Sequence, residues 1–227
     1  MNFKTILVSL YFITILLSCT ISLLFIGGKA KPAYMKNFFL YPLLAFLFLL
    51  NKLISLENLS YGQYMTAEVI QIIYNLSYIL HFYLLGSFVK KNITSFRKNE
   101  FLNTLFWFFF IIVNISIFAT NLSVKNGLAY GITNSCLIIF CILYYQQLFK
   151  NPPTIILIHN SAFWIINGIF FGMTTTIPIN FSGDFFIKDG SEESIQILRN
   201  LGLVSYLIMH LFFIKAYLCI VRPNKVL

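Results

Sequence analysis

The chain reads as an all-α protein: a polytopic membrane bundle of seven transmembrane helices in a single domain over residues 1–227, N-terminus out and C-terminus in. Three observations predict this. Seven apolar stretches fill nearly the whole sequence, and each approaches the ~20 residues a helix needs to cross ~30 Å of hydrocarbon. Charged residues make up only 10% of the chain against ~25% in ordinary soluble domains, too few to solvate a globule. The basic residues alternate in density from loop to loop. The richer set (Lys29, Lys31, Lys36, Lys90, Lys91, Arg97, Lys98, Lys150, Arg222, Lys225) belongs in the cytoplasm by the positive-inside rule, and the poorer set (Lys4, Lys125, Lys188, Arg199) outside. The formal charge of +9 is thus a topology signal, and nucleic acid is not an expected partner.

Helix 1 is expected over Thr5–Ile26. Lys4 followed by an apolar run to Leu16-Leu17-Ser18-Cys19 imitates a lipoprotein signal, but the run continues through Ile21, Leu23, Leu24 and Phe25, as a retained helix requires. Gly27-Gly28 and Pro32 mark the first loop. Helix 2, Asn37–Leu56, carries Pro42 in its first turns, where a missing amide proton costs little. Helices 3, 4 and 5 are expected over Tyr64–Val89, Phe101–Thr120 and Asn126–Phe149. Pro152-Pro153 separates helix 5 from helix 6, Ile155–Ile179, which Pro178 is expected to end. Gly168 and Gly172, four residues apart, permit a close helix neighbour there. The segment Asn180–Ile197 is read as the longest loop, with a phenylalanine cluster at Phe181, Phe185 and Phe186. Its acidic end, Asp189-Gly190-Ser191-Glu192-Glu193, suits the N-terminal cap of helix 7, Leu198–Val221.

Polar groups in hydrocarbon are costly, so their faces are where function is sought. Helix 3 carries Glu68, Gln71, Asn75 and Tyr78 along one stripe, with His81 further round. Helix 4 carries Asn103, Trp107, Asn114 and Asn121; helix 6 carries Asn160, Trp164, Asn167 and Thr174; helix 7 carries Arg199, Tyr206, His210 and Tyr217. Glu68, Asn75, Asn114, Trp164, Asn167 and His210 are the expected ligand-binding residues, and Glu68 and Arg199 share a depth at which they can pair. The competing account of each amide is interhelical glue, worth ~0.6 kcal/mol. His81, His159 and His210 fall on three helices, in the middle or inner half, without ligand spacing or an acid at their depth, so no metal is expected. Lys215 lacks a carboxylate counter-ion, which argues against a retinal site. The four cysteines all fall inside helices and read as buried thiols. No hydrolase, metalloprotease or nucleotide-binding motif appears, so neither catalysis nor a cofactor is expected.

The run CLIIFCILYYQQLFKNPPTIILIHNSAFWIINGIFF, Cys136 to Phe171, joins Tyr144-Tyr145 and a short basic loop to Phe163-Trp164-Ile165 and Gly168. The run YNLSYILHFYLLGSFVKK, Tyr74 to Lys91, adds a similar layout. These resemble a group of small, uncharacterised seven-helix inner-membrane proteins of Bacteroidetes, often encoded near sensor histidine kinases. The group often has a glutamate where this chain has His81, and an arginine or glutamate near Ile132 to Asn134. The resemblance implies a bacterial inner (cytoplasmic) membrane location and a signalling accessory role. The expected function is therefore a non-enzymatic membrane sensor that binds a small or lipidic ligand or a membrane protein partner, such as a sensor kinase. A structural subunit of a multi-subunit membrane complex is the alternative, and a small transporter or channel a further one.

Overall fold

A computed structural model describes residues 3–27, 38–47, 67–93, 100–123, 126–152, 157–189 and 191–221. These residues form α1 (Phe3–Gly27), α2 (helical over 40–47), α3 (Ala67–Asn92), α4 (Glu100–Phe118), α5 (Gly127–Lys150), α6 (Ser161–Asp189) and α7 (Glu192–Val221), with no strand among them. All but α2 are long and apolar enough to cross a membrane, so the protein is an integral membrane protein in contact with lipid. The rest of the expected helix 2, beyond residue 47, lies outside the described residues.

Side-chain pairs reveal the direction of each helix. Tyr11 of α1 lies against Tyr206 of α7, while Ser22 donates to the carbonyl of Phe39 (2.6 Å), whose ring stacks on Tyr217. Helices α1 and α7 are therefore parallel. Gln71 reaches Tyr130 and Phe82 reaches Phe140, so α3 and α5 are parallel too. Lys90 bonds Asn103 while Phe82 meets Phe110, which makes α4 antiparallel to α3. Asn134–Thr176 and Tyr145–Asn167 set α6 antiparallel to α5. Glycines 168 and 172 meet Phe212 and Met209, and so set α6 against α7 in the same sense. Even the short α2 fits: Phe38 contacts Phe88 and Phe213, and one turn on Tyr41 contacts His81 and His210. The helices alternate in direction, and α1, α3, α5 and α7 all begin at one end, the leading end below.

Without a hydrophobic force between helices in lipid, close packing and interhelical hydrogen bonds hold the bundle. A Cβ on Gly168 would stand 2.9 Å from Phe212 Cβ and 3.1 Å from the Met209 carbonyl oxygen, so α6 and α7 approach backbone to backbone. Between α3, α4 and α5 the rings of Phe82, Phe106, Phe110 and Phe140 lie with centroids 5.6 to 6.4 Å apart. Such pairs contribute roughly 0.5–1.5 kcal/mol each.

Two sequence expectations are corrected. Pro178 does not end helix 6: α6 runs on to Asp189, and most of the expected loop after Asn180 is helix. Pro178 has no N–H for the Thr174 carbonyl, and in the preceding turn Thr174, Thr175 and Thr176 fold their hydroxyls back onto Phe170, Phe171 and Gly172 carbonyls. That local bonding lets a membrane helix carry a proline. Helix 6 also starts later than expected. Leu157–His159 is a separate 3₁₀ turn, and Asn160 caps α6 by accepting from the Ala162 amide at 2.9 Å. His159 is thus exposed before the helix and not within a span. The cap of helix 7 stands where expected, with Ser191 Oγ accepting from the Ser194 amide.

Candidate functional site

Helices α1, α2, α3 and α7 enclose a cavity of about 100 Å³. From α3 come Tyr74, Ser77, Tyr78 and His81, one residue per turn or half turn on a single broad face. Helix α7 adds Tyr206 and His210, four apart and so stacked one turn above the other. Tyr11 closes the α1 side, and Tyr41, Leu44 and Ala45 of α2 form the remaining wall. Tyr74 begins three residues inside the α3 span, and His81 lies ten inside, which is ~5 and ~15 Å along a span ~33 Å long. The cavity therefore runs from near the leading end to about mid-membrane. Tyr74, 40% exposed, stands at its rim, whereas His210 is 1% exposed at its floor.

The tyrosines are held by one another. Tyr78 packs edge-on to Tyr74 at 5.6 Å, and Tyr206 lies against Tyr11 at 6.5 Å. Tyr78 also stacks on Tyr130 at 3.9 Å, and the Tyr130 hydroxyl takes a 2.9 Å bond from Gln71 and donates to Asn75. Tyr41 packs edge-on to His81 (5.1 Å) and parallel to His210 (6.3 Å). The imidazoles differ from the phenols. His81 Nε2 and His210 Nδ1 are both buried with no hydrogen-bond partner. A buried polar atom left unpaired costs ~1–3 kcal/mol, and both nitrogens are closed off even from a water-sized molecule.

Of the residues expected from sequence, His210 lines this cavity. Asn75 lies behind its wall, fully buried, donating to the Leu122 carbonyl at 2.7 Å and accepting from Gln71 and Tyr130. Asn114 donates to Phe110 O on its own helix. Asn167 donates to Phe163 O and accepts from the Tyr145 hydroxyl at 3.2 Å, across α5 and α6. Trp164 stacks on Phe212 (5.7 Å), donates to Ile158 O and lies under the Lys215 ammonium at 5.7 Å. Asn114, Trp164 and Asn167 are thus placed as local bonds and interhelical glue, away from the cavity. The Glu68 side chain lies outside the described residues, and Arg199 is exposed.

Sequence reasoning missed Tyr11, Tyr41 and Tyr74. A signal existed for the first: Tyr11, Ser18 and Ser22 are seven and four residues apart, a stripe on α1 as regular as those noted elsewhere, and both serines are buried. Among the described residues no group of three or more His, Cys, Asp or Glu is placed to hold a metal. Compared with protein-family models, with curated proteins and with solved structures, the chain matches none.

Proposed function

We propose that this is a non-catalytic membrane receptor or signalling accessory that takes a small ligand into the tyrosine–histidine cavity. The observation that carries the reading is the cavity itself, walled by tyrosines and by His81 and His210 in otherwise apolar helices and nearing one end of the bundle. With the N-terminus outside, as the loop charges favour, the leading end faces out, and the ligand enters from the outer side of a bacterial inner membrane. Binding shifts the packing of α1 and α2 against α3 and α7, and a membrane partner reads the shift at the basic loops, for which a sensor kinase is the candidate that the Bacteroidetes resemblance suggests. No catalytic step is invoked, since the cavity offers neither a nucleophile–base pair nor paired acids among its described residues.

The test is a mild-detergent pull-down of the tagged protein from its native membrane, with mass spectrometry of bound proteins and small molecules, repeated with His210→Phe. Recovery of a small molecule with the native protein but not with the variant is expected. Equal recovery from both, or none from either, removes the cavity from the account.

A second reading, a structural subunit of a larger complex, is favoured by α4. It is the least buried span, 22% against 61% for α5, and Trp107, Phe108 and Phe118 are exposed on it. Stoichiometric membrane partners in the same pull-down, lost on replacing Trp107 and Phe108 with leucine, would favour it.

A further inference from the structure

We propose that Lys215, beside Trp164, binds the headgroup of an anionic phospholipid in the leaflet at the trailing end of the bundle, opposite the leading end. The site lies apart from the tyrosine–histidine cavity and does not depend on it.

Lys215 sits inside a span. The α7 span ends at Ile220, so Lys215 lies five residues in, ~7.5 Å along the axis, and it is exposed. Trp164 lies three residues into the α6 span, at ~4.5 Å, and the ammonium stands 5.7 Å from its ring centroid. The indole is fixed in place: it stacks on Phe212 at 5.7 Å, and its Nε1 donates to Ile158 O at 2.8 Å. Cys219, one turn beyond Lys215, reaches the same carbonyl with its Sγ at 3.5 Å. Ring and thiol thus spend their donors on the protein. The ammonium has three N–H donors and meets only the face of a ring, with no oxygen bonded to it among the described residues.

Charge decides what completes the site. A cation at this depth draws an anion, and its flexible stem lets it reach toward the headgroups. The protein supplies no such anion among its described residues. All the described acids but Glu100 lie toward the leading end, and Glu100 opens α4, which packs on α3 and α5. Lys90 and Lys91 close α3 and Lys150 closes α5, so the trailing end as a whole attracts anionic lipid.

The surroundings favour a lipid over an anion from water. Leu211 and Leu218, 47% and 49% exposed, flank Lys215 one turn to either side on α7. Leu211 lies on the mid-membrane side, where it offers an acyl chain an apolar surface below a headgroup held at Lys215.

The experiment is fluorescence quenching of the full chain in phosphatidylcholine vesicles that contain a minor fraction of phosphatidylglycerol. Trp107→Phe serves as the background, which leaves Trp164 as the one tryptophan. Either lipid is brominated in turn, and the ratio of the two quenching efficiencies gives the preference at Trp164. Taking the ratio within each variant cancels any change in emission from the cation itself. Phosphatidylglycerol should be preferred. The preference should fall about fivefold in Lys215→Gln, one basic residue's share of the attraction to an anionic surface, and persist in Lys215→Arg. No preference in the native lysine form, a preference unchanged in Lys215→Gln, or one lost equally in Lys215→Arg would overturn the proposal. So would a preference that disappears when inorganic phosphate replaces chloride at constant ionic strength, which would assign the lysine to a soluble anion.

Discussion

Replacing glycine with alanine at positions 168 and 131 separates two kinds of close approach. By distance alone Gly131 is the more crowded, since an added Cβ would come within 2.6 Å of the Phe181 ring, against 2.9 Å at Gly168. The neighbours differ in what they can do. Phe181 is 47% exposed, and its ring is the far end of a side chain that can swing into lipid. At Gly168 the neighbours are Phe212 Cβ, Phe213 Cε1 at 3.0 Å and the Met209 carbonyl oxygen; the first and last move only if α7 moves. Overpacking of that kind costs ~1–3 kcal/mol, while alanine returns up to ~1 kcal/mol of helix propensity over glycine. Gly168→Ala should therefore lose about 1–2 kcal/mol, or about 2–8 °C of melting temperature for a chain this size. Gly131→Ala should stay within about 2 °C of the native protein, because propensity offsets a ring rotation of ~0.5–1.5 kcal/mol. The assay is thermal melting of the purified full chain in one detergent, followed by near-UV circular dichroism. Gly131→Ala melting below Gly168→Ala would refute the reasoning, since distance and not the mobility of the neighbour would then govern.

Asn126→Ala should cost about 1–2 kcal/mol in the same melt, because Asn126 caps α5 through the Ala129 amide and ties it to α4 through Ser116 O and Thr120 Oγ1. Tyr130→Phe should cost about 1–3 kcal/mol, since it strips one hydroxyl from both Gln71 and the buried Asn75. A native-like melt for Tyr130→Phe would mean that the α3–α5 polar contact contributes nothing.

The spans were legible because lipid leaves the chain so little freedom: an apolar run near 20 residues must be helix. Ends were less so. Hydropathy marks where the apolar run stops, not where the helix stops, and α6 continues past Pro178 through Ser182, Gly183 and Asp184 to Asp189. The start of α6 was misplaced for the converse reason: Ile155 to Ile158 are apolar, yet Asn160 is the residue whose side chain accepts the first amides. The stripes on α3 and α7 were visible as faces, but a face does not say which helix it meets. Asn75 and Tyr78 share a stripe. The first turns toward Leu122 and Tyr130, and the second lines the cavity while stacking on Tyr130.

The two sides of the bundle divide the labour between packing and vacancy. On the α5–α6–α7 side glycines bring backbones together, and the polar contacts Tyr145–Asn167 and Asn134–Thr176 link α5 to α6. On the α1–α2–α3–α7 side large rings meet at 5 to 6.5 Å and leave a cavity between them. Helix α7 belongs to both: Met209 seals the glycine seam, and His210, the next residue, points into the cavity. A ligand that filled the cavity against Tyr206 and His210 would therefore act on the helix that the rigid side grips most closely. Tightly packed elements pass small displacements on whole and do not absorb them. A response to cavity occupancy should thus travel through α7 to its far end, and weakening the seam with Gly172→Leu should uncouple binding from response without emptying the site.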